Sequence, residues 1–318
     1  MAFRFVDRRK YIVHFRPVEP SARSVSAHVP PPPEPEDGRL LAAVVQLTSS
    51  SDVADNLRRV TSLCQRARSR GAQLIVLPEN FALVSSDEHL KHRHAVQLSG
   101  NDGSGQILDA MRALSARLQV HLVLGGFPAA SPDATRVYNA CVCLGPAGEI
   151  VAAYRKIHLF DVDFASAATT LRESDTVVAG DAGQRVVAPT PWGGLGLSIC
   201  YDLRFPELYR GLVQAGARML AIPAAFTLHT GKDHWHVLLR ARAIENQCFV
   251  LAAAQQGRHS ANRVTYGHSL IVDPWGVVLA ECTDGEGIAV AELDFRWQDR
   301  VRTDLPCLNH RRISGAST

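Results

Sequence analysis

Leu195-Gly196-Leu197-Ser198-Ile199-Cys200-Tyr201-Asp202-Leu203-Arg204-Phe205-Pro206-Glu207 decides how this chain is read. Its first six residues have the length and apolarity of a buried strand. Pro206 suits the first turn of a helix, where a missing N–H costs nothing. Gly216 marks the stop of that helix, with Leu208, Leu212 and Ala215 along its buried side. Cys200 is therefore expected on a sharp strand-to-helix turn, which lifts a side chain out of the sheet toward N–H groups and a helix dipole. A thiol so placed is expected to have a lowered pKa and to act as a nucleophile. Cysteine after a buried strand is also a common small core residue, so other groups must decide between the two.

Two further extended stretches end on functional side chains. Ala72-Gln73-Leu74-Ile75-Val76-Leu77-Pro78-Glu79 delivers a carboxylate, and Glu149 to Leu159 delivers Lys156. Functional groups of open α/β sheets gather beyond the carboxyl ends of the strands, so Glu79, Lys156 and Cys200 can converge. Of 34 basic Lys and Arg residues only Lys10, Lys91, Lys156 and Lys232 are lysines. A lysine inside an apolar stretch is thus no random surface charge, and an ammonium is the more compact and titratable cation.

A carboxylate, an ammonium and a thiol suit acyl transfer at a carbon–nitrogen bond. Cys200 would attack the carbon, and Glu79 would accept the thiol proton and later activate water. Lys156 and the Tyr201 N–H would stabilise the oxyanion. This chemistry requires no metal and no organic cofactor.

Leu77-Pro78-Glu79, Tyr154-Arg155-Lys156-Ile157-His158-Leu159-Phe160-Asp161 and Leu197 to Glu207 resemble, in order and spacing, the signature blocks of the nitrilase superfamily of carbon–nitrogen hydrolases. The resemblance runs from about Leu40 to His310. It implies one domain with a four-layer αββα sandwich, a catalytic Glu79, Lys156 and Cys200, and a second glutamate at Glu173. Pro223 to Gly231, with His234-Trp235, is similar to the amidases of the superfamily. That likeness implies an acyl chain of the 2-oxo dicarboxylic kind, with Tyr201, Phe226, Thr227 and Thr230 in the substrate site. It also implies a homodimer or larger assembly through the helix after the nucleophile and a helix near 233–246. Two positions depart from the pattern: Asn80 follows the catalytic glutamate, and 163–170 lack the Pro-Gly turn expected before Glu173.

The 318 residues, 46% of them hydrophobic, can bury a large core. Val53, Leu57, Val60, Cys64 and Ala67 have helical spacing, as do Ile107, Met111, Leu114 and Leu118. Extended runs are expected at 40–47, 72–78, 120–127, 137–144, 149–155, 193–199, 218–222, 248–254, 268–273 and 287–293. Their alternation with helices argues for an α/β sheet protein, 40–318 forming the hydrolase domain. Gly145-Pro146-Ala147-Gly148 and Asp273-Pro274-Trp275-Gly276 read as hairpin turns. Residues 1–39 are rich in Arg and then in Pro, and read as a disordered extension or an organellar transit segment.

A net charge of +3 with scattered basic residues does not indicate nucleic acid, and no apolar stretch approaches a membrane span. Seven cysteines without a CxxC pair suit a reducing compartment, which points to the cytoplasm, with mitochondria as the transit alternative. Cys141 and Cys143 are read on opposite faces of one strand. His92, His94, His234 and His236 read as ordinary solvated or core-edge histidines. The leading expectation is an amide hydrolase. An ω-amidase releasing ammonia is the neighbouring alternative, and a catalytically idle dimeric scaffold is the alternative of another class. A cysteine phosphatase is excluded, since only three residues separate Cys200 from Arg204.

Overall fold

The computed structural model describes residues 38–85, 87, 89–99, 102–164, 169–260 and 263–313. The Arg-rich and Pro-rich extension lies outside the described residues up to position 37, and the first strand starts at Arg39. Two mixed sheets carry the fold. One runs in the order Val177–Val178, Val137–Leu144, His121–Ala129, Leu74–Val76, Arg39–Gln46 and Gly287–Asp294, with Ile150–Arg155 also paired to Val137–Leu144. The other runs Val187–Ala188, Gly194–Leu197, Ala217–Ala221, Phe249–Ala252, Leu270–Val272 and Val278–Glu281. Parallel pairs occupy the centre of each with antiparallel pairs beside them, and the short edge strand Val177–Val178 adds one more parallel pair to the first sheet. All ten expected extended runs contain a strand of these sheets.

The period of two along each strand builds the layers. In Arg39–Gln46, Ala43 and Val45 face Val60, Cys64, Met111 and Leu114 of the helices Val53–Ser69 and Gln106–Leu118. Leu40, Ala42 and Val44 face the other way, onto Leu195, Leu197, Met219 and Leu251 of the second sheet. Beyond that sheet, Leu220, Ile222 and Val250 meet Leu208, Leu212, Trp235 and Leu239 from the helices Pro206–Gln214 and Leu228–Asn246. The order is helix, sheet, sheet, helix. Each fully buried Val or Leu here is worth about 1.5–3 kcal/mol relative to leaving it exposed.

Two local expectations are corrected. Cys141 and Cys143 both lie in the core between the sheets, because residues two apart on a strand face the same way. Ala215 is exposed, while Tyr209 is fully buried and donates its hydroxyl to Ser198 Oγ at 3.0 Å. Tyr209 is thus core, beside Leu208 and Leu212. Before Glu173, where the sequence lacks the family's Pro-Gly turn, the chain forms an antiparallel hairpin, Asp161–Phe164 with Thr169–Arg172, whose tip lies outside the described residues. No helix among the described residues is long and apolar enough to cross a membrane.

Candidate active site

Glu79 and Cys200 stand just past the carboxyl ends of Leu74–Val76 and Gly194–Leu197, and Lys156 follows Ile150–Arg155 directly. The fold brings the three together. Lys156 Nζ lies 3.0 Å from Glu79 Oε1 and 2.9 and 2.8 Å from the two oxygens of Glu173. Glu173 is further held by the Phe160 N–H at 2.7 Å. The sequence departure in the preceding loop therefore does not displace this carboxylate.

Cys200 sits in the left-handed region at φ 49°, a conformation that costs a non-glycine residue on the order of 1–3 kcal/mol. Its N–H donates to Pro223 O at 2.8 Å, and Asp202 N–H donates to Ile199 O at 3.0 Å. The Tyr201 N–H lies between them in sequence. A 3₁₀ turn over Cys200–Arg204 precedes the helix that starts at Pro206, as expected. The fully buried Asp202 pins this turn to the lysine strand. Its carboxylate accepts from Tyr154 OH at 2.7 Å, Ile199 N at 2.8 Å and His158 Nδ1 at 2.7 Å.

The electrostatics correct the expectation of an acidic thiol. Burial pushes Cys200 up, the Glu79 charge pushes it further, and Lys156 and a hydrogen bond from the Ala225 backbone only partly offset this. The thiol stays well above its ordinary value. Burial would also raise Glu79, but Lys156, a hydrogen bond with Cys200 and the charge of Arg263 outweigh it and hold the carboxyl below its ordinary range. Lys156 loses proton affinity by burial and gains more from Glu173 and Glu79, so it stays protonated. The resting site is a thiol hydrogen-bonded to a carboxylate beside an ammonium. Such a site makes its thiolate only when the proton moves to Glu79.

Sequence reasoning missed Asn139. Its backbone carbonyl accepts from Lys156 N at 2.9 Å, and its side-chain Nδ2 donates to Glu79 Oε1 at 3.0 Å and Glu173 Oε1 at 3.3 Å. One residue thus positions the cation and both carboxylates. An Asn inside the apolar run Val137–Leu144 was the available signal. Asn80, the other departure, adopts φ 58°, a region Asn tolerates well, and donates its N–H to Gly126 O.

The remaining expected residues line the approach differently from one another. Tyr201 stands edge-on to Phe160 and Phe205 at 4.9 and 5.4 Å. Arg204 does not pair with Asp202 or Glu207. Its guanidinium lies over the rings of Phe226 and Tyr201 at 5.2 and 5.9 Å, with Nη1 3.3 Å from His234 Nδ1. Thr227 caps the helix Leu228–Asn246, its Oγ accepting from Thr230 N and meeting Thr230 Oγ at 2.9 Å. Both hydroxyls are engaged with each other rather than held open for a ligand.

Carbon-nitrogen hydrolase sequences match residues 41–301, a span that includes every group of this site. The chain belongs to the carbon–nitrogen hydrolase family. Among its relatives in this family are proteins named deaminated glutathione amidase from Synechocystis sp. and Homo sapiens. The first is 44% identical over 273 residues, covering 85% of this chain and 97% of the relative. The second is 42% identical over 275 residues, covering 86% and 82%. The crystal structure of the C. elegans NitFhit protein superposes with a TM-score of 0.79 at 38% identity, over 87% of this chain and 66% of that one. This carbon–nitrogen hydrolase therefore carries the nitrilase-type four-layer fold and hydrolyses C–N bonds in amides.

Proposed function

We propose that the chain is a deaminated glutathione amidase, releasing 2-oxoglutarate and Cys-Gly through a thioester on Cys200. The observation that carries the mechanism is the ion arrangement: Lys156 salt-bridged to Glu79 and Glu173, all three largely buried, beside a thiol hydrogen-bonded to Glu79. As the sulfur attacks the amide carbon, the thiol proton passes to Glu79. The oxyanion that forms is met by Lys156 Nζ and the Tyr201 N–H. Glu79 returns the proton to the leaving amine, and Cys200 is left acylated. Glu79 then takes a proton from water, hydroxide adds to the thioester, and collapse releases the acid and restores the thiol.

The substrate choice rests on the relatives' names and on charge. Two carboxylates share one ammonium at the site, so an acid-bearing substrate needs another cation. Arg204, stacked on Tyr201 and Phe226 and paired with no carboxylate among the described residues, supplies one at the mouth. A guanidinium is the usual partner of a carboxylate. Purified protein incubated with deaminated glutathione and, separately, with α-ketoglutaramate tests the assignment. Cys-Gly release from the first, faster than ammonia release from the second, is the expected result. The reverse order makes the chain an ω-amidase. A mass adduct on the Cys200 peptide with a slow substrate, absent from Cys200→Ala, tests the thioester.

We further propose a homodimer through the outer helix. Val237 and Ile244, two turns apart on Leu228–Asn246, are 66% and 47% exposed, and Trp275 and Val277 of the adjoining turn are 53% and 50% exposed. Ile244 meets Gly276, so helix and turn form one apolar patch of the kind that marks a protein interface. Light scattering should return twice 34.6 kDa at micromolar concentration, and Val237→Glu should shift it toward the monomer. A wild-type chain that runs as a monomer would overturn the proposal.

A further inference from the structure

We infer that His236, His268 and Glu281 form a binding site for a transition-metal ion of the zinc type, built from residues that the amide chemistry does not use. The three come from separate elements: the helix Leu228–Asn246, the segment after Val264–Tyr266, and the last residue of Val278–Glu281. Glu281 Oε1 lies 2.9 Å from His236 Nε2 and 2.7 Å from His268 Nδ1. The three candidate ligand atoms lie within 4.8 Å of one another, and the described residues hold no other such group of three.

These spacings fit a metal. Zinc binds imidazole nitrogen and carboxylate oxygen at about 2.0–2.2 Å, which sets tetrahedral neighbours roughly 3.3 Å apart. The two printed separations, 2.9 and 2.7 Å, lie below that value and the third is no more than 4.8 Å, so movements of the side chains alone would seat an ion. Two imidazoles and one carboxylate are a donor set that suits zinc and its neighbours in the series. The side chains of His236, His268 and Glu281 are 32%, 29% and 33% exposed, so an ion can enter and a fourth position stays open to water. That position faces a cleft of about 480 Å³ lined by His268, Glu281, Cys282, Thr283 and Asp284. Cys282 lines the cleft, but its sulfur is not among the ligand atoms that lie within 4.8 Å of one another.

The ring of His268 is held in place before any ion arrives. Its backbone takes φ 58°, its carbonyl accepts from Trp235 Nε1 at 2.8 Å, and the Tyr266 ring stacks on it at 4.4 Å. Fixed rings lower the ordering cost of binding. The hydrogen bonds through Glu281 explain the contact in the metal-free state, but they do not by themselves call for two imidazoles aimed at one oxygen.

The test uses full-length, tag-free protein stripped with a chelator and titrated with zinc chloride in a non-coordinating buffer. One equivalent should bind with a Kd of micromolar or tighter. His236→Ala, His268→Ala and Glu281→Gln should each weaken it at least 10-fold, and Cys200→Ala should bind like the wild type. Cobalt(II) at the same site should show the visible bands of a four-coordinate centre and no thiolate charge-transfer band. No saturable uptake by the wild-type chain would overturn the inference. So would uptake that survives all three substitutions, or uptake that vanishes in Cys200→Ala.

Discussion

Tyr154 donates its hydroxyl to Asp202 at 2.7 Å, and this one buried contact ties the strand that delivers Lys156 to the turn that carries Cys200. Both residues are fully buried, and burial together with the Asp202 charge keeps the phenol firmly protonated. Tyr154→Phe keeps the packing and removes the donor. A hydrogen bond to a charged group is worth about 1.5–3 kcal/mol. The expected outcome is that loss in denaturant unfolding together with a reduced kcat, because Asp202 then holds the lysine segment only through His158. A variant with normal stability and normal kcat would show that the two strands hold their spacing without it.

Asn139 should behave as a positioning residue rather than a reacting one. Its Nδ2 bridges Glu79 and Glu173, so Asn139→Ala frees both carboxylates to compete for Lys156. We expect kcat to fall by about 10- to 100-fold with little change in KM, the signature of an interaction that matters only in the transition state. Asn139→Asp should do worse, since it places a third carboxylate on one ammonium. A change confined to KM would instead make Asn139 a substrate contact.

The pH dependence follows from the site's ion pairs. The Glu79 carboxyl is held below its ordinary 4.5 and the Lys156 ammonium above its ordinary 10.5. The stability that Glu79 contributes is present above its unfolded value and is lost as pH falls through the lowered folded value. That from Lys156 is complete below its unfolded value and is lost as pH rises through the raised one. In the free enzyme kcat/KM should therefore be flat from about pH 5 to about pH 9. An acidic limb centred near neutrality would mean that the Glu79 carboxyl is not held below its ordinary range.

Lys156→Arg separates position from charge. A planar guanidinium cannot place a compact cation 2.8–3.0 Å from both Glu79 and Glu173. We expect a loss on the order of 10²-fold or more in kcat, as for a missing oxyanion donor. Lys156→Met should in addition destabilise the fold by about 3–5 kcal/mol, because two buried carboxylates lose their partner. Arg retaining most of the activity would reduce Lys156 to a background field.

The strands and the Glu79, Lys156 and Cys200 set were legible in the sequence because each sits at the end of an uninterrupted apolar run. The Cys200 pKa was not. A turn and a helix start argue for a thiolate, but burial and the nearby Glu79 charge are tertiary facts and they win. The place of Arg204 was not legible for a related reason: its partners, Tyr201, Phe226 and His234, lie up to 30 residues away along the chain. Thr227 and Thr230 looked like open hydroxyls because a helix cap is visible only once the helix is. The His236 cluster needs three elements at once, which no spacing along the chain reveals.

Gly126 offers a test of how tightly the site is packed from behind. A Cβ added there would stand 2.6 Å from Asn139 Oδ1 and 2.7 Å from Glu79 Cγ. That oxygen is buried without a hydrogen-bond partner among the described residues, so nothing else fixes where it can retreat. Gly126→Ala should push Asn139 and Glu79 off Lys156 and cost at least 10-fold in kcat. Its φ of 23° adds backbone strain, so a control is needed. Gly216, at φ 97° past the end of the helix Pro206–Gln214, has nothing within 4 Å of an added Cβ. Gly216→Ala should cost about 1 kcal/mol of stability from strain alone and leave kcat as it was. If both variants turn over at the wild-type rate, the space behind Glu79 is slack and the geometry of the Glu79–Lys156 pair is held by the salt bridge alone.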